Sequence, residues 1–302
     1  MKKIIVIGEF VLDVIFDAAG EPVGSMAGGR EVNAAMMLAR RKLETALVGE
    51  LSTDAVGETI MRQLESAGVA LKGVDRYGDG STATELYFTD GDGNRSTVRY
   101  ESYPDECFDV IWPRVEHGDI VVFGDYYSID ARMRVRMLQF LNYCDSVNAV
   151  MVYVPGFDTK RAPRVTRVMP VILENLELAD IVVTRTPDLQ TIFGIDDPER
   201  SYKEHIDFYC RSLVNIDVAT GEVSYFSGKE VSHATINPEV TRSMTGRAGI
   251  IAGIAAYLAT NDIARADLDG ASADLRGNLM VEAINSGRSE YGALTEEWQK
   301  TH

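Results

Sequence analysis

The feature that most constrains this chain is a series of short apolar runs, each followed by a stretch with helical spacing. Lys3–Gly8, Ile120–Phe123, Val150–Val154 and Ile181–Thr184 are dominated by Ile, Val and Phe, and Leu47-Val48-Gly49 reads as the end of a similar run. Such runs suit strands buried on both faces of a parallel sheet. Helices are expected over Val32–Arg41, where Val32, Ala35, Met36 and Ala39 share a face, and over Thr59–Ala67, which Gly68 closes. Others are expected over Asp130–Tyr143, over Arg164–Leu176 with a break at Pro170, over Tyr202–Arg211, and from about Thr245 to Ala259. Strands alternating with helices predict an α/β protein whose mainly parallel central sheet is covered on both faces.

Two regions do not fit that sheet. Glu9–Asp17 alternates through Phe10, Leu12, Val14 and Phe16, the pattern of a strand with one buried face. Thr84–Thr89 and Ser96–Tyr100 flank Asp90-Gly91-Asp92-Gly93-Asn94, a loop rich in residues that tolerate positive φ, and read as a hairpin. Together they predict a small second sheet. A further hairpin-rich stretch, Ser212–Thr235, precedes the last apolar helix, and the polar Glu290–His302 reads as a helix end or frayed terminus.

At 302 residues the chain suits one domain over 1–302. The net charge of −16 argues against nucleic acid or an anionic membrane as partner, since both select basic patches. It leaves room for a small anionic ligand held by a few local arginines. Cys107, Cys144 and Cys210 are scattered, and His117, His205, His233 and His302 are isolated, so neither a disulfide framework nor a metal site is expected. The start is too short in apolar residues for a targeting segment, and no stretch approaches the roughly 20 apolar residues that cross a bilayer. A soluble, cytoplasmic protein is expected.

Four motifs in the first hundred residues are read in order: Gly8-Glu9-Phe10-Val11-Leu12-Asp13; Gly28-Gly29-Arg30-Glu31-Val32-Asn33-Ala34-Ala35; Gly49-Glu50-Leu51-Ser52-Thr53-Asp54-Ala55-Val56-Gly57; and the hairpin end Asp92-Gly93-Asn94-Arg95. In this order and spacing they resemble the ribokinase-like (PfkB) carbohydrate kinases. That resemblance implies a three-layer α/β sandwich with a β-sheet lid from segments of about 10–28 and 84–101, which closes over a sugar and often forms a homodimer contact. It also implies ATP and Mg as cofactors. Asp13 would accept vicinal sugar hydroxyls, Gly28 and Gly29 would let backbone amides approach, and Asn33 would donate to and accept from a hydroxyl. Plainer alternatives are a turn or cap role for Asp13 and a helix cap for Asn33. Asp54 and Gly57 read as structural, holding the turn before a helix.

The likeness fails on the nucleotide side. The family's D-T-x-G-A-G-D motif turns amides toward the phosphate and ends in the general base. Here the run is Ser243-Met244-Thr245-Gly246-Arg247-Ala248-Gly249, so Gly246, Arg247, Ala248 and Gly249 would form the anion hole and the base position falls on Gly249. No Asp or Glu lies between Glu239 and Asp262. The D-P-N segment aligns with Val154-Pro155-Gly156, and N-x-x-E places Arg185 for the Asn and Asp188 for the Glu. The family's T-x-G-x-x-G has no clear counterpart around Asn215–Gly221. ATP and Mg, though implied by the family, are therefore opposed by this half of the chain.

Two readings of Arg185 and Arg247 stay open. Facing the cleft, they would hold a phosphate or carboxylate and make the chain a binder of a phosphorylated metabolite. Otherwise Arg247 turns outward or pairs with Asp188. Tyr126 and Tyr127 follow a strand end, where open α/β sheets bind ligands, and either line the pocket or belong to the core. The leading expectation is a sugar- or polyol-binding protein with phosphotransfer impaired or lost. The alternatives are an active ATP-dependent sugar kinase with relocated groups, and a structural or regulatory dimer subunit.

Overall fold

A computed structural model describes residues 2–89, 95–104, 109–157 and 164–301. The chain begins β1 (Ile4–Ile7), β2 (Val11–Phe16), β3 (Pro22–Gly28), α1 (Arg30–Arg40), β4 (Thr45–Ser52), α2 (Ala55–Ala67), β5 (Ala70–Tyr77), β6 (Ser81–Thr89) and β7 (Arg95–Ser102). It continues β8 (Ile120–Asp125), α3 (Ala131–Ser146), β9 (Val150–Pro155), α4 (Met169–Leu178), β10 (Ile181–Arg185), α5 (Thr186–Phe193) and α6 (Pro198–Ser201). The last part holds β11 (Ser212–Ile216), β12 (Glu222–Ser227), β13 (Glu230–Thr235), α7 (Pro238–Arg242), α8 (Met244–Thr260), α9 (Arg265–Leu268) and α10 (Ala273–Thr301).

The large sheet has nine strands in the order β13-β12-β11-β10-β9-β8-β1-β4-β5. All neighbours from β11 to β5 pair in parallel, while β12 and β13 add an antiparallel hairpin at one edge. Strand side chains alternate between faces, and β1 shows why its run is continuously apolar. Ile4 and Val6 join the core under α1 and α8, whereas Ile5 and Ile7 join the core under α3 and α4. The second sheet, ordered β3-β2-β6-β7, unites the early alternating strand with the expected hairpin.

Several local expectations are refined. The predicted helix over Tyr202–Arg211 is instead α6 running into a single π-helical turn, Tyr202–Ile206, followed by a turn that brings Tyr202 Oη to the Arg211 carbonyl at 2.7 Å. The break at Pro170 separates a 3₁₀ turn, Val165–Arg167, from α4, whose first turn Pro170 occupies without losing a hydrogen bond. Strands β3 and β5 carried no alternation strong enough to announce them. Asp92, Gly93, Asn94, Cys107 and His302 lie outside the described residues. Among the described residues, no helix is long and apolar enough to cross a membrane.

Helix α8 lies buried between the large sheet and α10. Close approach of the two helices depends on glycine. A Cβ on Gly249 would stand 2.9 Å from the Gly287 Cα, and one on Gly253 would stand 2.7 Å from the Ala283 Cα. Both are closer than real side chains pack, so these positions belong to a helix–helix contact.

A candidate ligand cleft between the two sheets

The carboxyl ends of β1, β8, β9 and β10 open onto a cleft of about 300 Å³ whose other wall is the small sheet. Open α/β sheets bind ligands at this edge because loops and helix starts converge there. Its lining includes Asp13, Glu85, Tyr87 and Arg99 from the small sheet, Gly29, Arg30 and Asn33 from the start of α1, and Asp125, Gly156 and Arg185 from strand ends. Met244 and Arg247 of α8 complete it.

The small-sheet wall follows from strand register. Asp13 on β2 stands opposite Glu85 on β6, and Glu85 opposite Arg99 on β7, so the three charges form one row. Arg99 is held by Glu9 at 2.8 Å and Glu101 at 2.7 Å, while Tyr103 donates to Glu9 at 3.0 Å. Asp13 is only 1% exposed, and its Oδ2 has no hydrogen-bond partner. Burial, then the charge of Glu85, push its carboxyl up from 3.8 to about 7, against the opposing pull of Arg99. It is neither a turn nor a cap residue.

The glycine pair has a steric role. A Cβ at Gly28 would lie 2.4 Å from the Asp13 carboxylate, and one at Gly29 would lie 2.4 Å from the Glu9 carbonyl oxygen. Gly29 also adopts φ 95°, a conformation open to glycine. It is the N-cap of α1, which leaves Asn33 inside the first turns with its side chain at the cleft. Asp54 caps α2, accepting from the Gly57 amide at 2.7 Å, as the motif suggested. Tyr126 lines the cleft, whereas Tyr127 is fully buried in the core.

The opposite wall is built from arginines. Arg30 donates to Asp125 from Nη2 at 2.5 Å and from Nε at 3.2 Å, and its Nη1 lies 3.8 Å from Asp188. Gly156 makes room for this pair, since a Cβ there would meet Arg30 Nη2 at 2.7 Å. Burial acts to raise the Asp125 carboxyl, but the Arg30 charge, hydrogen bonding to the group and the Arg185 charge together outweigh it and hold the group at about 2. Glu31, fully buried beside it, is driven well above the usual carboxylate range by burial and by Asp125. Asp125 also sits at φ 49°, a strained backbone of the kind that clusters at functional sites.

Arg185 is tied to Asp188, with Nε donating at 2.7 Å and Nη2 donating to the second oxygen. Asp188 thus serves as the partner of two arginines. Arg247 has no carboxylate partner among the described residues. Its Nη1 donates to the carbonyls of Thr241 at 3.0 Å and Arg242 at 2.6 Å, and its Nε is buried without a partner. Burial and the nearby Arg185 and Arg30 charges push it down to about 9. Of the two readings of this residue, the structure places it in the cleft, near enough to feel the Asp188 charge but without a salt bridge to it.

The expected anion hole is not at the cleft. Ser243 caps α8, so the family's phosphate loop corresponds here to the first two helical turns. Gly246 N–H faces Ser243 Oγ at 3.4 Å and Arg247 N–H bonds the Ser243 carbonyl at 3.2 Å, which leaves these amides committed within the helix start. Gly246 packs on the Val240 carbonyl and Ala248 is fully buried. Gly249 faces Gly287 and Glu290 of α10, so a side chain there would point away from the cleft. Of the four residues, only Arg247 lines it. The structure therefore brings together Asp13, Gly29, Asn33, Arg185 and Arg247. Sequence reasoning missed Arg30, Asp125, Glu85 and Arg99 as wall residues; the strand-end Gly124-Asp125 was the one signal available.

A large sheet with helices on both faces, and a small sheet forming one wall of a cleft at its carboxyl edge, define the ribokinase-like fold. A family model described as the pfkB family carbohydrate kinase matches residues 1–264. The chain belongs to the PfkB family of carbohydrate kinases. It is similar to the Salmonella enterica aminoimidazole riboside kinase solved with aminoimidazole riboside and an ATP analog, at 14% identity, covering 95% of this chain and 92% of that one with a TM-score of 0.77. Vibrio cholerae O395 fructokinase bound to fructose, ADP and calcium matches at 15% identity, with 95% and 90% coverage and a TM-score of 0.75. Xylella fastidiosa fructokinase with bound ATP matches at 17%, with 99% and 100% coverage and a TM-score of 0.75.

Proposed function

We propose that this chain binds a sugar or polyol in the cleft and that its capacity for phosphoryl transfer is impaired or lost. The observation that carries this reading is the cleft-facing side of the α8 start. It presents Met244 and Arg247, and no carboxylate. A general base must reach a substrate hydroxyl at about 2.6–3.2 Å, and its loss lowers rates by roughly 10²–10⁴. Asp125, the carboxylate nearest the strand ends, is held at about 2 by Arg30 and is a weak proton acceptor.

The sugar-binding wall supports the other half of the proposal. Asp13 offers a buried, unpartnered carboxyl oxygen and Asn33 a side chain that both donates and accepts. The residues available for a magnesium–nucleotide fit it poorly. Arg185 binds Asp188, and the Gly246 and Arg247 amides are engaged within the start of α8. Among the described residues, no group of three His, Cys, Asp or Glu is arranged for a metal ion.

One observation favours a second reading, an active kinase with relocated groups. A carboxyl at about 7 in the cleft is tuned for proton transfer at neutral pH, and Asp13 would be that base. Titration calorimetry with fructose and other neutral sugars, combined with an ADP-release assay in ATP and magnesium, tests both. Sugar binding without turnover is expected. Turnover abolished by Asp13→Asn would replace the first reading with the second. Silence toward every sugar would leave a structural or regulatory subunit, in which dimerisation through the small sheet would carry the role.

A further inference from the structure

The cleft is chemically divided, and its arginine side lacks one negative charge. Arg30 is matched by Asp125 and Arg185 by Asp188, but Arg247 faces the same space with no acid against it among the described residues. The three arginines also converge on a narrow space of about 10 Å³ floored by Val183, Ile216 and Ile251. Holding an unmatched guanidinium at a half-buried apolar floor opposes folding, because burial removes hydration without supplying a counter-charge.

The geometry of Arg247 is specific. A guanidinium carries five N–H donors, and two of these are spent on the Thr241 and Arg242 carbonyls through Nη1. Those bonds fix the plane of the group. The Nε–H edge, with Nη2 beside it, is left without a partner, and such an edge is the fork that grips two oxygens of a carboxylate or phosphate. Asp13 and Asn33 line the same cleft as Arg185 and Arg247, so both walls bound one ligand space.

We propose that the ligand is an anionic sugar derivative, carrying a phosphoryl or carboxylate group that Arg247 and Arg185 bind while Asp13 and Asn33 engage its hydroxyls. This rests on the sugar-binding reading above and names the class of ligand for it. In that arrangement a fixed cation takes the place where the family's phosphate loop would present amides, and the anion belongs to the sugar instead of to a nucleotide.

Calorimetry on the full chain tests this with five probes: fructose, fructose 6-phosphate, gluconate, inorganic phosphate and magnesium-free ATP. Fructose 6-phosphate or gluconate should bind at least tenfold more tightly than fructose, and which of them does so separates the phosphoryl from the carboxylate form. Arg247→Gln should erase that preference, and Arg247→Lys should retain part of it. Raising salt should weaken the anionic probe more than fructose. Thermal melting of each variant checks that it is folded, and if Arg247→Gln is not, Arg185→Gln provides the same comparison.

Equal affinity for neutral and anionic sugars, or a preference that survives Arg247→Gln and Arg185→Gln, overturns the anion subsite while leaving sugar binding intact. Arg247-dependent binding of inorganic phosphate with no response to any sugar sustains the subsite and sinks the sugar reading. Arg247-dependent binding of ATP alone, or no response to any anionic probe, overturns the proposal.

Discussion

The two walls of the cleft solve opposite problems. The small-sheet wall is acidic, and its charges are arranged by strand register so that Asp13 stays buried next to Glu85 with one oxygen unpartnered. The wall formed by strand ends and α8 is rich in arginine, and its acids are consumed in pairing Arg30 and Arg185. On the first wall a carboxyl is pushed toward neutrality; on the second one is pinned as a carboxylate. The difference between the walls is the basis for proposing a ligand with hydroxyls at one end and negative charge at the other.

The largest effect should come from forcing the family's base back into α8. Gly249→Asp would place a Cβ 2.9 Å from the Gly287 Cα and a carboxylate in the α8–α10 contact. Overpacking costs about 1–3 kcal/mol, and an unpaired buried charge adds several more. Urea denaturation should show a loss above roughly 4 kcal/mol, or no folded protein, with no gain of kinase activity. A stable Gly249→Asp with ADP release would show that this helix face meets the cleft after all, and would break the contrast between the walls.

Next in size is the pair that pins the arginine wall. Arg30→Gln leaves Asp125 buried without its partner, and breaking a buried pair on one side costs about 3–5 kcal/mol. The loss should be greatest at neutral pH and shrink as the solution is acidified toward 2, where the carboxyl can take a proton. A denaturation midpoint that does not move would mean the pair is solvated and the wall less built than the distances indicate.

Asp13→Asn sharpens the comparison from the other side, with the opposite sign. Between 3.8 and about 7 the folded chain holds a proton that the unfolded chain releases, so stability falls as pH climbs through that window. The substitution should stabilise the chain at pH 8 by on the order of 2–4 kcal/mol. The difference should fade below pH 4, where both states are protonated. Binding of neutral sugar should fall at least tenfold in the same variant. A stability difference that is flat with pH would show that Asp13 is hydrated rather than buried by the small sheet.

Much of the architecture was written in local patterns. Runs such as Ile4–Ile7 can satisfy only a strand buried on both sides, and the αL glycine at 68 and the aspartate at 54 punctuate α2 as their chemistry requires. The hairpin was read from the turn-prone residues between its strands, and β2 from alternation. Strand β3, with Pro22 and Gly24 and a largely exposed pattern, carried no such signal because only its end meets the core. Asp13 and Asn33 were legible through motif spacing, and the glycine pair through the absence of a side chain.

The orientation of α8 was not legible, for a physical reason. Beyond Arg247 the helix is apolar on every side because it is enclosed by the sheet, α1 and α10, so its sequence has no polar face to reveal its rotation. Motif position pointed at Gly249; packing against Gly287 turned that residue away and brought Arg247 to the cleft. Arg30 and Asp125 lie far apart in the chain and meet because α1 packs against β8, the strand that Asp125 ends. Sequence alone determined most of the elements and the motif residues Asp13, Gly29 and Asn33 that line the cleft, since these depend on residues close together along the chain. Tertiary structure decided which charges face one another, because that depends on strand order and on helix rotation, and neither leaves a local trace.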